Sequence, residues 1–145
     1  RAVAEEGGRV SLQEVPTENL DPPGGLRAAE ALVQDVRRGS LDGVIAVTDL
    51  LAMAIIQVFG AEGVEVPGDV AVMGCDHNSA AWGGMIPLTS VQMQGLEMGR
   101  GGLRLLLAEL DEDPAGHQHV TTMLRPELVV RESTVGRERS TPLRD

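Results

Sequence analysis

A three-layer α/β sandwich with a doubly wound, mostly parallel sheet is the fold this sequence predicts. Three features point there. Two apolar runs, residues 43–47 and 70–75, are rich in β-branched residues, too short for helices and apolar on both faces, which is how buried parallel strands read. Between them an apolar helical pattern covers residues 50–59. Parallel strands need a crossover of about a dozen residues or more, and this helix with the Val66-Pro67-Gly68-Asp69 turn supplies a βαβ unit. Both runs then deliver polar clusters, Thr48-Asp49 and Asp76-His77-Asn78. In open α/β sheets that is the edge where ligands bind.

At 145 residues, 42% hydrophobic and 23% charged, the chain fits one globular domain with a real core. One Phe, one Trp and no Tyr leave the packing to Leu, Val, Ile, Met and Ala. A net charge of -10 makes the chain by itself a poor partner for a phosphate backbone, besides keeping its surface soluble. Cys75 is the only cysteine, so no intrachain disulfide forms. It reads as a small core residue and fits a reducing, cytoplasmic compartment. No apolar run reaches the ~18 residues that would span a membrane, so no membrane partner is expected. The chain begins with Arg1, and residues 1–8 read as the tail of a helix, so it is expected to be a piece of a longer protein.

In chain order, residues 10–15 alternate partly between Gly7-Gly8 and Pro16 and predict a strand. Residues 17–24 read as a polar, Pro-rich loop. Residues 25–38 place Leu26, Ala29, Leu32, Val33 and Val36 on one helical face. Arg37-Arg38 suits the helix dipole there, and Gly39 a C-terminal cap. The next helix, residues 49–59, is apolar nearly all round, with only Gln57 clearly polar. One apolar stripe suffices to lie on a sheet, so the surplus is buried in its own domain or meets another subunit. With Leu51, Ile55 and Val58 toward the sheet, Leu50, Met53, Ala54 and Gln57 would face outward and form the interface of a homodimer. The reverse register is also open.

Residues 78–86 form a loop of small residues. It carries Trp82, which either covers the core edge or lines a ligand site or dimer contact. Residues 88–93 read as a strand and residues 94–110 as a helix with Leu96, Gly99, Leu103, Leu106, Leu107 and Leu110 as its buried stripe. Residues 119–124 and 127–131 are two extended pieces broken by Pro126. Residues 135–145 are charged and aperiodic, a disordered tail that leaves residues 1–134 as the domain.

Enzyme readings find no support. The chain has no Gly-x-Ser-x-Gly elbow, no phosphate-binding loop and no Gly-x-Gly-x-x-Gly, so no catalytic residue or cofactor is expected. His117-Gln118-His119 offers two imidazoles but no third ligand nearby, so no metal is expected. Asp76 is the residue with chemistry to offer. A carboxylate at a strand end accepts two hydrogen bonds from vicinal hydroxyls, and bonds to a charged acceptor are strong. The other reading is that it caps the following turn. Asp49 likewise has two readings, a ligand contact or the N-cap of the apolar helix.

Several segments together resemble the LacI/GalR family of transcription regulators. Thr48-Asp49-Leu50-Leu51-Ala52 is similar to the family's Asn-Asp-x-x-Ala helix start, and Val66-Pro67-Gly68-Asp69-Val70 to its turn into a strand. Val72-Met73-Gly74-Cys75-Asp76 resembles Val-Val-Gly-aromatic-Asp, and Pro87-Leu88-Thr89-Ser90-Val91 resembles Pro-Leu-Thr-Thr-Val. Leu128-Val129-Val130-Arg131-Glu132-Ser133-Thr134 resembles the closing Leu-Val-x-Arg-Glu-Ser-Thr. The segments occur in the family's order and reach nearly the whole chain up to Thr134.

The resemblance implies one lobe of a two-lobed, type I periplasmic-binding-protein-like core. It implies a small polar effector, a sugar, contacted by Asp76 and by the residues at Thr48 and Asp49. It also implies dimerisation through the apolar helix, and a DNA operator reached only through a helix-turn-helix domain outside this chain. The family's ligand-binding Asn falls on Thr48 and a frequent Gln falls on Met93, so the hydrogen-bond pattern differs and the pocket is less polar. A solute-binding protein of a sugar transporter shares this fold and is the alternative. A sugar-modifying α/β enzyme is the further one.

Overall fold

The structure is a computed structural model that describes residues 10–78, 84–111 and 119–136. The element order is α1 (Pro22–Arg37), β1 (Gly43–Ile45), α2 (Asp49–Ala61), β2 (Ala71–Asp76), β3 (Thr89–Gln92), α3 (Gly95–Asp111) and β4 (Glu127–Val129). The strands form one four-stranded sheet in the order β1-β2-β3-β4. β1, β2 and β3 are parallel, and β4 joins β3 antiparallel. The βαβ unit expected from the two apolar runs is therefore β1-α2-β2.

The core lies between the sheet and the α1–α2 pair. Register sets Val44 beside Val72 and Gly74 beside Ser90. Val72, Gly74 and Ser90 are buried, and so is Ala46 just beyond β1. Phe59, Ile55, Ile56, Leu51, Val33 and Val36 complete the apolar cluster with Val70 and Leu88. The alternate residues open the other way. Ile45 is 74% exposed and Val47 61%, and Met73, Cys75 and Val91 are half-buried. Among the described residues, the helical layer lies on one face of the sheet only.

α1 starts earlier than the Pro-rich composition suggested. Asp21 is its N-cap, its carboxylate accepting from Gly24 N at 2.9 Å, and Pro22 and Pro23 open the first turn. Proline is tolerated there because that N–H has no helical partner. The stretch read as a loop thus contains a helix start. α1 then meets α2 closely at Gly25. A Cβ on Gly25 would stand 2.7 Å from Ala54 Cβ and 2.8 Å from Leu51 O.

That contact corrects one expectation. Ala54 does not face outward for a second subunit. It is buried against α1 of its own chain. Met53 is half-buried and packs on Gly84. Leu50, 43% exposed, and Gln57 do face out.

Two further expectations fail. α3 forms over nearly the predicted residues, but its apolar stripe is not buried. Leu96, Leu103, Leu106, Leu107 and Leu110 are all exposed, and nothing lies within 4 Å of a Cβ built on Gly99. Helical periodicity reports which face is apolar and is silent about what covers it. Residues 10–15 form no strand, and Val10 and Leu12 are exposed. A strand needs a partner ladder, and residues 10–15 have none among the described residues, although Val15 packs on the core. The metal-poor pair at His117 and His119 and the tail falls partly, and Trp82 wholly, outside the described residues.

Candidate functional site

Because β1, β2 and β3 are parallel, their carboxyl ends share one edge of the sheet. That edge carries Thr48 after β1, Asp76 at the end of β2 and Met93 after β3. Asp76 is exposed and Met93 is 47% exposed. Asp49 and Asp76 therefore sit at the same edge, as the βαβ reading requires.

The two aspartates have different environments. Asp49 is 0% exposed. Its Oδ1 accepts from Ser90 Oγ at 2.6 Å, and its Oδ2 accepts from Asn78 N at 2.9 Å. A buried carboxylate is tolerated only where hydrogen bonds replace its water. Both oxygens are engaged within the fold, so Asp49 is turned inward and not toward a ligand. It is not the N-cap either. That role belongs to Thr48, whose Oγ1 accepts from Leu51 N at 3.2 Å. A threonine hydroxyl that accepts there still has its O–H to donate. Room for Asp49 comes from Gly74. A Cβ on Gly74 would overlap Asp49 Oδ1 and stand 3.0 Å from Asp49 Cα.

Asp76 and His77 both have positive φ, 99° and 51°. Side chains rarely adopt that region, although Asp and His do so more often than most, and each such residue costs about 1–3 kcal/mol. The following backbone is held by side chains from elsewhere. His77 N donates to Ser90 Oγ at 3.0 Å, and Asn78 N donates to Asp49 Oδ2. The imidazole faces Arg131, with Arg131 Nη2 3.1 Å from His77 Nδ1. Arg131 is buried and also donates through Nη1 to Leu88 O.

The closing Arg131-Glu132-Ser133-Thr134 segment is structural. Ser133, fully buried, accepts from Thr89 N at 2.8 Å and donates to Val72 O at 2.6 Å. It bridges β2 and β3 ahead of their first ladder pair, Met73 with Thr89. Thr89 Oγ1 in turn donates to Arg131 O and accepts from Arg131 N. Among the described residues no buried side-chain polar atom lacks a partner, and no three His, Cys, Asp or Glu groups converge as a metal site.

Sequence reading missed Ser90, the backbone of residues 77–78 and Arg131 as parts of this edge. One signal was available. Ser90 sits mid-strand, on the face that β-alternation buries, and a buried hydroxyl demands a partner.

The site is thus a mostly parallel sheet with an exposed, backbone-strained carboxylate at its carboxyl edge. The family model for the periplasmic binding protein-like domain matches residues 1–134. The chain belongs to that family, and the relatives it is similar to are LacI-type transcription regulators. The HTH-type transcriptional regulator MalR of Streptomyces coelicolor is 36% identical over 111 residues, which is 77% of this chain and 30% of MalR. A solved complex of the transcriptional regulator CelR with cellobiose matches at TM-score 0.77 and 32% identity, over 91% of this chain and 39% of that one. A LacI family regulator from Arthrobacter sp. FB24 in complex with lactose matches at TM-score 0.78 and 29% identity, over 92% of this chain and 48% of that one. The chain thus spans under a third of MalR and under half of each solved chain. Among the described residues, no helix is long and apolar enough to cross a membrane.

Proposed function

We propose that this chain is part of the effector-sensing core of a LacI-type regulator and that its effector is a sugar. The observation that carries the reading is Asp76, an exposed carboxylate at the carboxyl end of a central parallel strand, in a turn held by buried groups. Vicinal hydroxyls of a saccharide match the two lone-pair directions of that carboxylate. Thr48 adds a hydroxyl donor at the neighbouring strand end. Solved relatives that hold cellobiose and lactose support a disaccharide as the probe.

In this reading the effector binds between this lobe and a second one and biases their orientation, which changes operator affinity through a DNA-binding domain outside this chain. The regulator works in the cytoplasm as a homodimer. Leu50, Met53 and Gln57 of α2, with the neighbouring exposed Met85, form this chain's share of the interface.

The test is titration calorimetry of the full-length protein with cellobiose, lactose and sucrose. The expected result is binding of one of them, weakened about a hundredfold by Asp76→Ala, as for loss of charge-assisted hydrogen bonds of about 1.5–3 kcal/mol. An Asp76→Ala protein that binds like the unmodified one overturns the assignment.

A further inference from the structure

We infer that Asp49 and Ser90 are positioning residues for Asp76, forming a buried clamp that holds its carboxylate in the orientation a ligand meets. The inference rests on the reading of Asp76 as a ligand contact. The clamp joins the first turn of α2, the middle of β3 and the two residues that follow β2. Ser90 of β3 donates to Asp49 Oδ1 at 2.6 Å and accepts from His77 N at 3.0 Å. Asp49, from the first turn of α2, accepts from Asn78 N at 2.9 Å. Two successive backbone N–H groups after Asp76 are thus tied to side chains of two other elements. With those peptide planes fixed, the chain keeps the positive φ values at Asp76 and His77 that it would otherwise relax.

The pair is suited to this task. Both residues are 0% exposed, so water does not compete for their hydrogen bonds. The glycine at 74 leaves space on β2 for Asp49 beside Leu88, because any Cβ there would collide with the Asp49 carboxylate. An ordinary N-cap explains none of this, since Thr48 already caps α2. A carboxylate that served only to fill the core would be replaced with advantage by an apolar group of similar size.

The experiment is a double-substitution cycle in the full-length protein. Affinity for cellobiose, lactose and sucrose is read for Ser90→Ala, Asp76→Ala and the two together. Backbone amide exchange at residues 77 and 78 is read alongside, and that reading needs no ligand. Ser90→Ala is expected to weaken sugar binding about tenfold, a change of one decade in Kd. It is expected to add less than about twofold once Asp76 is already alanine, because a positioning residue acts through the group it positions. Exchange at residues 77 and 78 speeds up while exchange in α1 does not. His77→Gly, which makes the positive φ inexpensive, restores part of the affinity that Ser90→Ala loses.

Equal losses from Ser90→Ala in both backgrounds would mean that Ser90 acts only on general stability and would overturn the clamp. So would a strong Asp76→Ala loss with no Ser90→Ala loss, or exchange unchanged at residues 77 and 78. An Asp76→Ala protein that binds normally is a different result. It removes the ligand role of Asp76, and the purpose of the clamp with it, whatever Ser90→Ala does.

Discussion

Ser133 shows how a single side chain replaces a stretch of ladder. It accepts from Thr89 N and donates to Val72 O where β2 and β3 have not yet begun to pair. Its own backbone donates to Pro87 O, and its carbonyl accepts from Val72 N. Removal of its hydroxyl leaves a buried donor and a buried acceptor without partners, at about 1–3 kcal/mol for each such group. Ser133→Ala is therefore expected to lower unfolding stability by about 2–6 kcal/mol in urea titration. Glu132→Ala, exposed beside it, should change stability by less than about 0.5 kcal/mol. Equal effects at the two positions would remove the bridging role. The place of Asp76 at the end of a strand was legible in the sequence because it is local: a carboxylate directly after an apolar run. Asp49 was only half legible. The sequence leaves Asp49 either a ligand contact or an N-cap, and its actual partners depend on Ser90, 41 residues away, and on the space left by Gly74.

Elements were legible where the chain itself supplies both the pattern and the partner. β1-α2-β2 is local, and its order, direction and polar ends follow from composition and spacing alone. α3 was legible as a helix but not in its surroundings, since its leucines are exposed among the described residues. α2 lies between these cases. Its nearly all-round apolar surface had two explanations, and each accounts for part of it. α1 covers Ala54 and Leu51 through Gly25, while Leu50 and Gln57 remain outside. This division makes the proposed dimer testable by position. Leu50→Glu sets two carboxylates near a two-fold axis and should convert a dimer of the full-length protein to monomer in sedimentation, with the thermal midpoint of the fold little changed. Ala54→Glu should instead unfold the domain, because the new carboxylate enters the α1–α2 contact. A dimer that survives Leu50→Glu places the subunit contact elsewhere.

At the scale of the molecule, two apolar surfaces are open among the described residues: the sheet face with Ile45 and Val47, and the leucine stripe of α3. A leucine or isoleucine left in water forgoes about 1.5–3 kcal/mol of burial. The chain spans 39% of the CelR chain solved with cellobiose. In the proposed mechanism, a ligand held by Asp76 and Thr48 from one wall takes the rest of its contacts from a second wall. Association costs at least about 4 kcal/mol in lost translational and rotational freedom. A few hydrogen bonds at about 1.5–3 kcal/mol each from one wall leave little net affinity after that cost. The chain of residues 1–145 on its own is therefore expected to bind cellobiose, lactose or sucrose at least about a hundredfold more weakly than the full-length protein, a difference of roughly 2.7 kcal/mol. Its open apolar faces should also make it self-associate, and Leu103→Glu with Leu106→Glu on α3 should reduce that association without improving sugar binding. Calorimetry on the two proteins side by side decides the matter. Equal affinity would place the whole effector site within this chain and would remove the second wall from the proposed mechanism.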